Sequence, residues 1–129
     1  MLISHLGLPG AHTVPPDRDV ATSALEPLLG LADLPRVGVK ISGLYAASDP
    51  SHAYPHDSAR PFVDVLLDAF GPRRLYWGSD FSPSLDHVSF IQTLHPVGLD
   101  ALSPADTADV YGGNLRRALR HQLDLATHA

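Results

Sequence analysis

The sequence contains no cysteine among its 129 residues. This absence excludes disulfides, cysteine nucleophiles and thiolate metal sites, and it is typical of proteins kept in a reducing compartment. No apolar run approaches the roughly 20 residues that a membrane-spanning helix needs. The opening stretch MLISHLGLPG lacks the basic region and the long apolar region of a secretory signal. We therefore expect a cytoplasmic protein.

Basic residues are also scarce, since 9 Lys and Arg face 14 Asp and Glu. The net charge of −5 argues against a broad electrostatic attraction to nucleic acid or to an anionic membrane. Hydrophobic residues make up 44% of the chain, an ordinary share for a globular protein. This length and composition predict a single domain over residues 1–129, with a hydrophobic core of its own.

Strand-like and helix-like patterns alternate along the chain. Apolar and β-branched runs predict three strands, at residues 2–5, 37–41 and 74–78. Periodic apolar stripes predict five helices, at about residues 20–32, 59–70, 85–94, 103–111 and 114–125. This order favours a parallel sheet with right-handed crossovers. Three parallel strands leave unpaired edges, so we expect part of a larger fold or a protomer that another chain completes.

Local signals predict where several helices begin. Pro27 removes a backbone hydrogen bond unless it lies in a first turn, so the first helix is expected to start later than residue 20. Asp57 or Ser58 is expected to cap the second helix. Ser103, followed by a proline and an aspartate, is expected to cap the fourth helix.

Polar residues or glycine follow each predicted strand, in the stretches SHLG, KISGLY and GSDF. The carboxyl ends of parallel strands lie on one side of a sheet, so His5, residues 40–45 and Asp80 are expected to converge there. In (β/α)₈ barrels this edge is the active face. A histidine and an aspartate at such an edge suit general acid–base chemistry or a metal site.

A long connection, GLYAASDPSHAYPHD, follows the second strand. Loops of this length in compact domains are often functional. Tyr45 near its start and His56 near its end are therefore the candidate substrate-binding residues. His52 and His56 have the spacing of one helix face, but Pro55 between them argues against a helical metal pair.

Each candidate also has a purely structural interpretation. A Gly-Ser-Asp sequence after a strand is a common turn, in which Asp80 bonds the backbone. A single histidine such as His5 often packs in the interior, and Lys40 suits an ion pair or a solvated position. The stretch YGGN, residues 111–114, lacks the lysine and the preceding strand of a phosphate-binding loop, so it predicts a turn between two helices.

Four stretches together resemble a known family: LISHLGLP, VGVKISGLY, YPHDSARPFVDVLLDAFGPRRLYWGSDFSP and YGGNLRRAL. They are similar to the second half of the amidohydrolase-related family of metal-dependent hydrolases, in the branch of lactonases and aminocarboxymuconate-semialdehyde-type decarboxylases. The resemblance covers nearly the whole chain and is most specific from Tyr54 to Asp80. Asn114 and Arg117 resemble the family's closing N-A-x-R-L pattern, with Leu115 in place of its alanine.

The resemblance implies an α/β fold, namely a partial (β/α)₈ TIM barrel with strands six to eight, their helices and the C-terminal helices. It implies that His5, at the end of strand six, polarises the substrate or moves protons. It implies that Asp80, at the end of strand eight, ligates a divalent metal such as zinc or acts as general base toward the attacking water. The implied activity is hydrolysis of C–O or C–N bonds in a small molecule, with lactones among the candidate substrates.

The sequence departs from this family in what it lacks. Strands one to five have no counterpart, and the His-x-His pair and the strand-five histidine of the family are missing with them. A catalytic zinc ion typically has three protein ligands, so Asp80 and His5 leave the set incomplete. Ser4 stands where the family commonly has aspartate. No arginine closely follows His5 or lies in SGLYAAS, which argues against a dicarboxylate lactone as substrate.

Three interpretations therefore stay open. The chain is part of an enzyme, inactive alone and active with an N-terminal barrel partner. Alternatively, it is a non-catalytic half-barrel that self-associates as a homo-oligomer and serves as a structural or binding module. A self-assembled dimer with residual hydrolase activity is the third, and it is disfavoured because both copies lack the same metal ligands. Exposed apolar strand edges would predict a dimer, an obligate partner or poor solubility.

Overall fold

The computed structural model describes residues 1–128, which form a mixed α/β fold. The strands and helices follow in the order β1 Leu2–Ile3, α1 Arg18–Leu29, β2 Gly38–Ile41, α2 Arg60–Phe70, β3 Leu75–Trp77, α3 Phe90–Thr93, α4 Pro104–Ala108 and α5 Asn114–Thr127. Every helix in residues 1–128 is too short or too polar to cross a membrane.

The three strands form one parallel sheet in the order β1-β2-β3. Val39 of β2 pairs with Ile3 of β1 on one side and with Leu75 of β3 on the other. Further along, Ile41 pairs with Trp77. The predicted parallel sheet and its strand–helix order are confirmed. This register brings the carboxyl ends of all three strands to a single edge.

The hydrophobic core lies between the sheet and the helices α1 and α2. Val39 and Ile41 of the central strand are fully buried, as are Leu25 of α1 and Phe62 of α2. Lys40 lies between the two buried residues of β2 and is only partly buried, because successive strand residues point to opposite faces. Burial of each large apolar side chain contributes about 1.5–3 kcal/mol, so this layer is the main source of stability.

Helix α1 begins earlier than the sequence predicts. It starts at Arg18 because the Asp17 side chain accepts a hydrogen bond from the Val20 backbone N–H, at 2.9 Å. Such a cap satisfies a donor that the first helical turn otherwise leaves free. Pro27 lies near the C-terminal end of this helix, where its missing N–H costs only the bond to the Ser23 carbonyl. The expected late start was therefore wrong.

Helix α2 begins at Arg60, and neither Asp57 nor Ser58 caps it through its side chain. A 3₁₀ turn, Asp57–Ala59, leads directly into the helix instead. Its last residue, Ala59, takes the N-cap position, and its backbone N–H donates to the His56 carbonyl at 2.9 Å. The predicted side-chain cap was therefore wrong.

The predicted helix at residues 85–94 is two separate pieces. A 3₁₀ turn at Pro83–Asp86 is followed by the short helix α3. Ser89 divides them because its hydroxyl accepts from the Gln92 N–H while the Gln92 side chain accepts from the Ser89 N–H. This reciprocal pair starts a new helix. Downstream, Ser103 caps α4 as the sequence predicts.

The stretch YGGN does not form the predicted turn between two helices. Residues Asp109–Gly113 continue the backbone bonding of α4 as a π-helical segment and lead into α5. Gly112 has an extended backbone, with a φ of 176°, and interrupts the regular helical geometry. Gly112 alone departs from helical geometry, since Gly113 has helical dihedral angles, so the chain passes from α4 to α5 without an open loop.

Asn114 fastens the start of α5 to the sheet. Its side chain is 2% exposed, and its amide nitrogen donates to the carbonyls of Pro72, at 2.7 Å, and Leu75, at 2.8 Å. The Arg117 guanidinium donates to the amide oxygen at 2.5 Å. Asn114 thus satisfies two backbone acceptors, one in the turn before β3 and one at the first residue of β3.

Replacing Asn114 by alanine is expected to lower the free energy of unfolding by about 2–3 kcal/mol, because three hydrogen bonds disappear and the buried Leu75 carbonyl loses its amide donor. The measurement is urea-induced unfolding followed by the fluorescence of Trp77. Gln122→Ala is the control, since Gln122 is an exposed amide on the same helix and its loss should change stability by less than about 0.5 kcal/mol. Equal losses in the two variants would contradict the fastening role.

Candidate active site

The residues that follow the strands meet at the carboxyl edge of the sheet, as the sequence predicts. His5 lies in a 3₁₀ turn that begins two residues after β1. Ser42 directly follows β2, and Asp80 comes three residues after β3. The Gly78 N–H donates to the Ile41 carbonyl at 3.2 Å, so strand-like pairing extends just past β3. The backbone therefore carries all three side chains to the same place.

Asp80 is the centre of this cluster. The Tyr45 hydroxyl donates to its Oδ2 at 2.5 Å, and the His5 Nε2 lies 3.7 Å from its Oδ1. The Asp80 side chain is 15% exposed and that of His5 is 33% exposed. A carboxylate with one oxygen hydrogen-bonded and the other beside an imidazole is suited to accept a proton and to exchange it with the histidine.

Tyr45 is held as a hydrogen-bond donor. Burial, together with the hydrogen bond to Asp80 and the negative charges of Asp80 and Asp86, raises the pKa of Tyr45 to about 12. The hydroxyl therefore keeps its proton at neutral pH. It holds Oδ2 of Asp80 in place and leaves Oδ1 directed toward His5.

Ser42 and Gly43 position His5. The His5 Nδ1 lies 3.1 Å from the buried Ser42 hydroxyl, which is within hydrogen-bond distance. Gly43 has a φ of 63°, and a Cβ atom there would lie 2.8 Å from the His5 Nδ1. Only glycine therefore allows the imidazole to occupy this position. Both residues stand at the predicted strand end, and the sequence analysis assigned neither a role.

Several site residues have a strained backbone. His5, His56 and Asp80 have φ values of 53°, 64° and 52°, and Leu6 and Leu8 near His5 are also left-handed. This region costs a non-glycine residue roughly 1–2 kcal/mol. Such residues cluster at active sites and ligand clamps, because surrounding contacts must hold them there. Three of the four predicted site residues share this property.

His56 is buried and does not contact Asp80 directly. Its Nε2 donates to the Ser51 carbonyl at 2.8 Å, so the proton is on Nε2 and Nδ1 is free to accept. Burial lowers the pKa of His56, the nearby His87 lowers it further, and the bond to Ser51 opposes the shift only in part. His56 is therefore neutral at pH 7.

His87 links His56 to the Asp80 cluster, and the sequence analysis missed it. Its ring stacks on Tyr45 with ring centres 4.3 Å apart and planes at 11°. Its Nδ1 lies 2.7 Å from the Ser51 hydroxyl, whose backbone carbonyl accepts from His56. No local spacing marks His87, because both partners lie more than 30 residues away in the sequence. Only the folded chain reveals this connection.

A cavity borders Tyr45 and His56. Its wall combines apolar residues, including Ile41, Leu44, Pro55, Val88 and Pro96, with polar residues that include Ser79, Ser84 and Thr93. Among the described residues that line it, none is Asp, Glu, Lys or Arg. The Ser84 hydroxyl is buried without a hydrogen-bond partner in residues 1–128. The cavity suits an uncharged group with hydroxyls.

Asp80 and His5 do not by themselves fit a catalytic zinc ion. Residues 1–128 contain no group of three His, Cys, Asp or Glu side chains placed to hold a metal. A catalytic zinc typically has three protein ligands. In addition, the Tyr45 hydroxyl already bonds Oδ2 of Asp80. The role of Asp80 as a metal ligand therefore stays a prediction.

Comparison with known proteins places these features in a family. The family described as amidohydrolase matches residues 1–121. L-fucono-1,5-lactonase of Burkholderia multivorans is 31% identical over 123 residues, which are 91% of this chain and 42% of that protein. The chain therefore spans less than half the length of this curated relative.

Two crystal structures of an amidohydrolase from Burkholderia multivorans share the fold. One has bound zinc and a TM-score of 0.71, and the other has bound HEPES and a TM-score of 0.74. Both are 30% identical to this chain, and each alignment covers 90% of this chain and 42% of the other. The three-stranded sheet thus corresponds to part of an amidohydrolase fold. The chain belongs to the amidohydrolase family.

Proposed function

We propose that this chain supplies part of the active site of an amidohydrolase-family hydrolase that acts on lactones. The observation that carries the proposal is the Asp80 carboxylate, held at the carboxyl edge of the sheet between the Tyr45 hydroxyl and His5. The lactonase activity in the name of the Burkholderia multivorans relative supports lactones as the substrate class.

In the proposed reaction, Asp80 takes a proton from a water molecule that attacks the lactone carbonyl carbon. The tetrahedral intermediate then breaks the ring C–O bond, and the departing oxygen takes up a proton to give the hydroxy acid. His5, 3.7 Å from Asp80, is the proposed carrier of that proton. The Tyr45 hydroxyl keeps the carboxylate oriented throughout. No step passes through a metal, because this chain's donors do not fit one.

Tyr45 and His56 are proposed to bind the substrate. They border the cavity that has no formally charged residue among the described residues of its wall. Neutral His56 offers an acceptor nitrogen, and the unpartnered Ser84 hydroxyl offers a donor and an acceptor. These groups favour an uncharged, hydroxylated lactone over a dicarboxylate, which would require guanidinium partners.

The chain is proposed to act with further polypeptide, either as a homo-oligomer or with an N-terminal barrel partner. Its strands would then be the sixth to eighth of the barrel. The support is the match to only 42% of the relative's length. The incomplete donor set in residues 1–128 also favours a second candidate, a non-catalytic half-barrel that binds or scaffolds through self-association.

Asp80→Asn is expected to lower lactone turnover by about 10²- to 10⁴-fold, because the amide cannot accept the proton from water. The measurement uses a chimera in which this chain is joined to the part of the Burkholderia multivorans lactonase that it does not match. Hydrolysis of L-fucono-1,5-lactone is followed by acid release, with spontaneous hydrolysis subtracted.

Asp33→Asn is the matched control, because Asp33 is exposed and lies outside the site. Its turnover should equal that of the unsubstituted chimera. Unchanged turnover in Asp80→Asn would remove Asp80 from the mechanism. A folded chimera with no turnover at all would favour the non-catalytic candidate.

The buried, neutral state of His56 makes stability depend on pH. The unfolded chain protonates His56 near the ordinary pKa of 6.5, whereas the folded chain resists protonation because its pKa is lowered. The stability that neutral, buried His56 contributes is therefore fully present above about pH 6.5. It is lost as the pH falls below that value. We expect the midpoint urea concentration of unfolding to decrease as the pH is lowered from 7.5 to 5. In His56→Asn this decrease should be smaller.

Asparagine is chosen because it tolerates the left-handed backbone at this position. His52→Asn is the control in the same loop, since His52 is exposed, and it should retain the full pH dependence. An identical pH dependence in the wild type and His56→Asn would contradict the assignment of a neutral, buried His56.

A further inference from the structure

Helix α5 presents an apolar face that nothing in residues 1–128 covers. The four leucines Leu115, Leu119, Leu123 and Leu125, here called the α5 stripe, are between 47% and 67% exposed. The sequence predicts a stripe of this kind, and such a stripe normally packs against a core. Its helix is firmly placed, because Asn114 bonds it to the start of β3. The beginning of the exposed face is therefore held in place.

The α5 stripe continues into an apolar groove and an open strand edge. Leu115, Leu119 and Leu125 line one side of the groove, and Met1, Leu2 and Val37 line the other. Leu2 belongs to β1, whose other side has no partner strand within residues 1–128. Leucine side chains and unpaired backbone groups thus form one continuous surface. Open edges of this kind are sites for strand addition.

We propose that this surface binds a polypeptide that supplies the remaining parallel strands of the barrel. One strand of that polypeptide would pair with the free edge of β1, and its apolar side chains would cover the α5 stripe. The inference rests on the proposed function, in which this chain forms part of an amidohydrolase barrel. It goes beyond that function because it identifies the binding surface and chooses an N-terminal barrel partner over a second copy of this chain.

A second copy of this chain is a poorer occupant for two reasons. Two three-stranded sheets supply six strands, whereas a (β/α)₈ barrel closes with eight. A second copy would also bring only another Asp80 and His5, so the donor set would stay as it is. The relative's sequence, by contrast, extends well beyond the 42% that this chain matches. A polypeptide that corresponds to the unmatched part would supply both further strands and further donor side chains.

The test coexpresses this chain with the part of the Burkholderia multivorans lactonase that it does not match. Size-exclusion chromatography with light scattering should show a soluble one-to-one complex. Hydrogen exchange should slow in β1 and α5 when the complex forms, because both would become covered. No substrate is present, so association is measured independently of hydrolysis.

The double variant Leu115→Ser/Leu119→Ser should weaken the complex by at least about tenfold in Kd, because two leucine side chains lose their burial. The matched control is Arg120→Ser/Asp124→Ser, which changes two exposed residues on the opposite face of the same helix. The control should bind like the wild type. Circular dichroism of each variant verifies that α5 remains helical.

Three outcomes would overturn the proposal. These are the absence of a soluble complex with the wild type, equal affinities of the stripe variant and the control, or a wild-type homodimer that the stripe variant dissociates. A complex that forms as expected but does not hydrolyse L-fucono-1,5-lactone would count against the proposed function while supporting the docking surface. The two failures are therefore distinguishable.

Discussion

The parallel pairing of β2 with both neighbours is the constraint on which the rest of the structure depends. Because β1 and β3 run in the same direction as β2, the chain leaves each strand at the same edge. This brings His5, Ser42 and Asp80 together. The same register directs Val39 and Ile41 into the core, and a slip of one residue would turn them to the opposite face. The core and the candidate site therefore require one and the same register.

The site itself is a chain of contacts between segments distant in sequence. Tyr45 bonds Asp80, His87 stacks on Tyr45, and Ser51 joins His87 to His56. These contacts hold two left-handed residues, His56 and Asp80, in a conformation that is unfavourable by itself. Their hydrogen bonds offset that strain. The arrangement explains why two loops, whose regular structure is limited to short 3₁₀ turns, present their side chains in fixed positions.

Two features of residues 1–128, the small number of metal donors and the unpaired edges of the sheet, have a common origin. Parallel sheets are normally covered on both faces, and exposed apolar strand edges are normally covered or blunted. Here β1 and β3 each pair only with β2 within residues 1–128, and the carboxyl edge holds too few donors for a metal. Strands added at these edges would bring their own carboxyl-end residues to the same site. Under the proposed function, extending the sheet and completing the candidate site would therefore occur together.

The sequence by itself determined the three strands, their parallel order and the meeting of His5 with Asp80, because apolar periodicity is local and alternating strands and helices favour a parallel sheet. The family assignment was based on sequence motifs, and the comparisons with known proteins confirmed it. Only the tertiary structure decided the early start of α1, the role of His87 and the exposure of the α5 stripe. Those depend on a side-chain cap, on contacts across more than 30 residues, and on which surfaces lie opposite one another after folding.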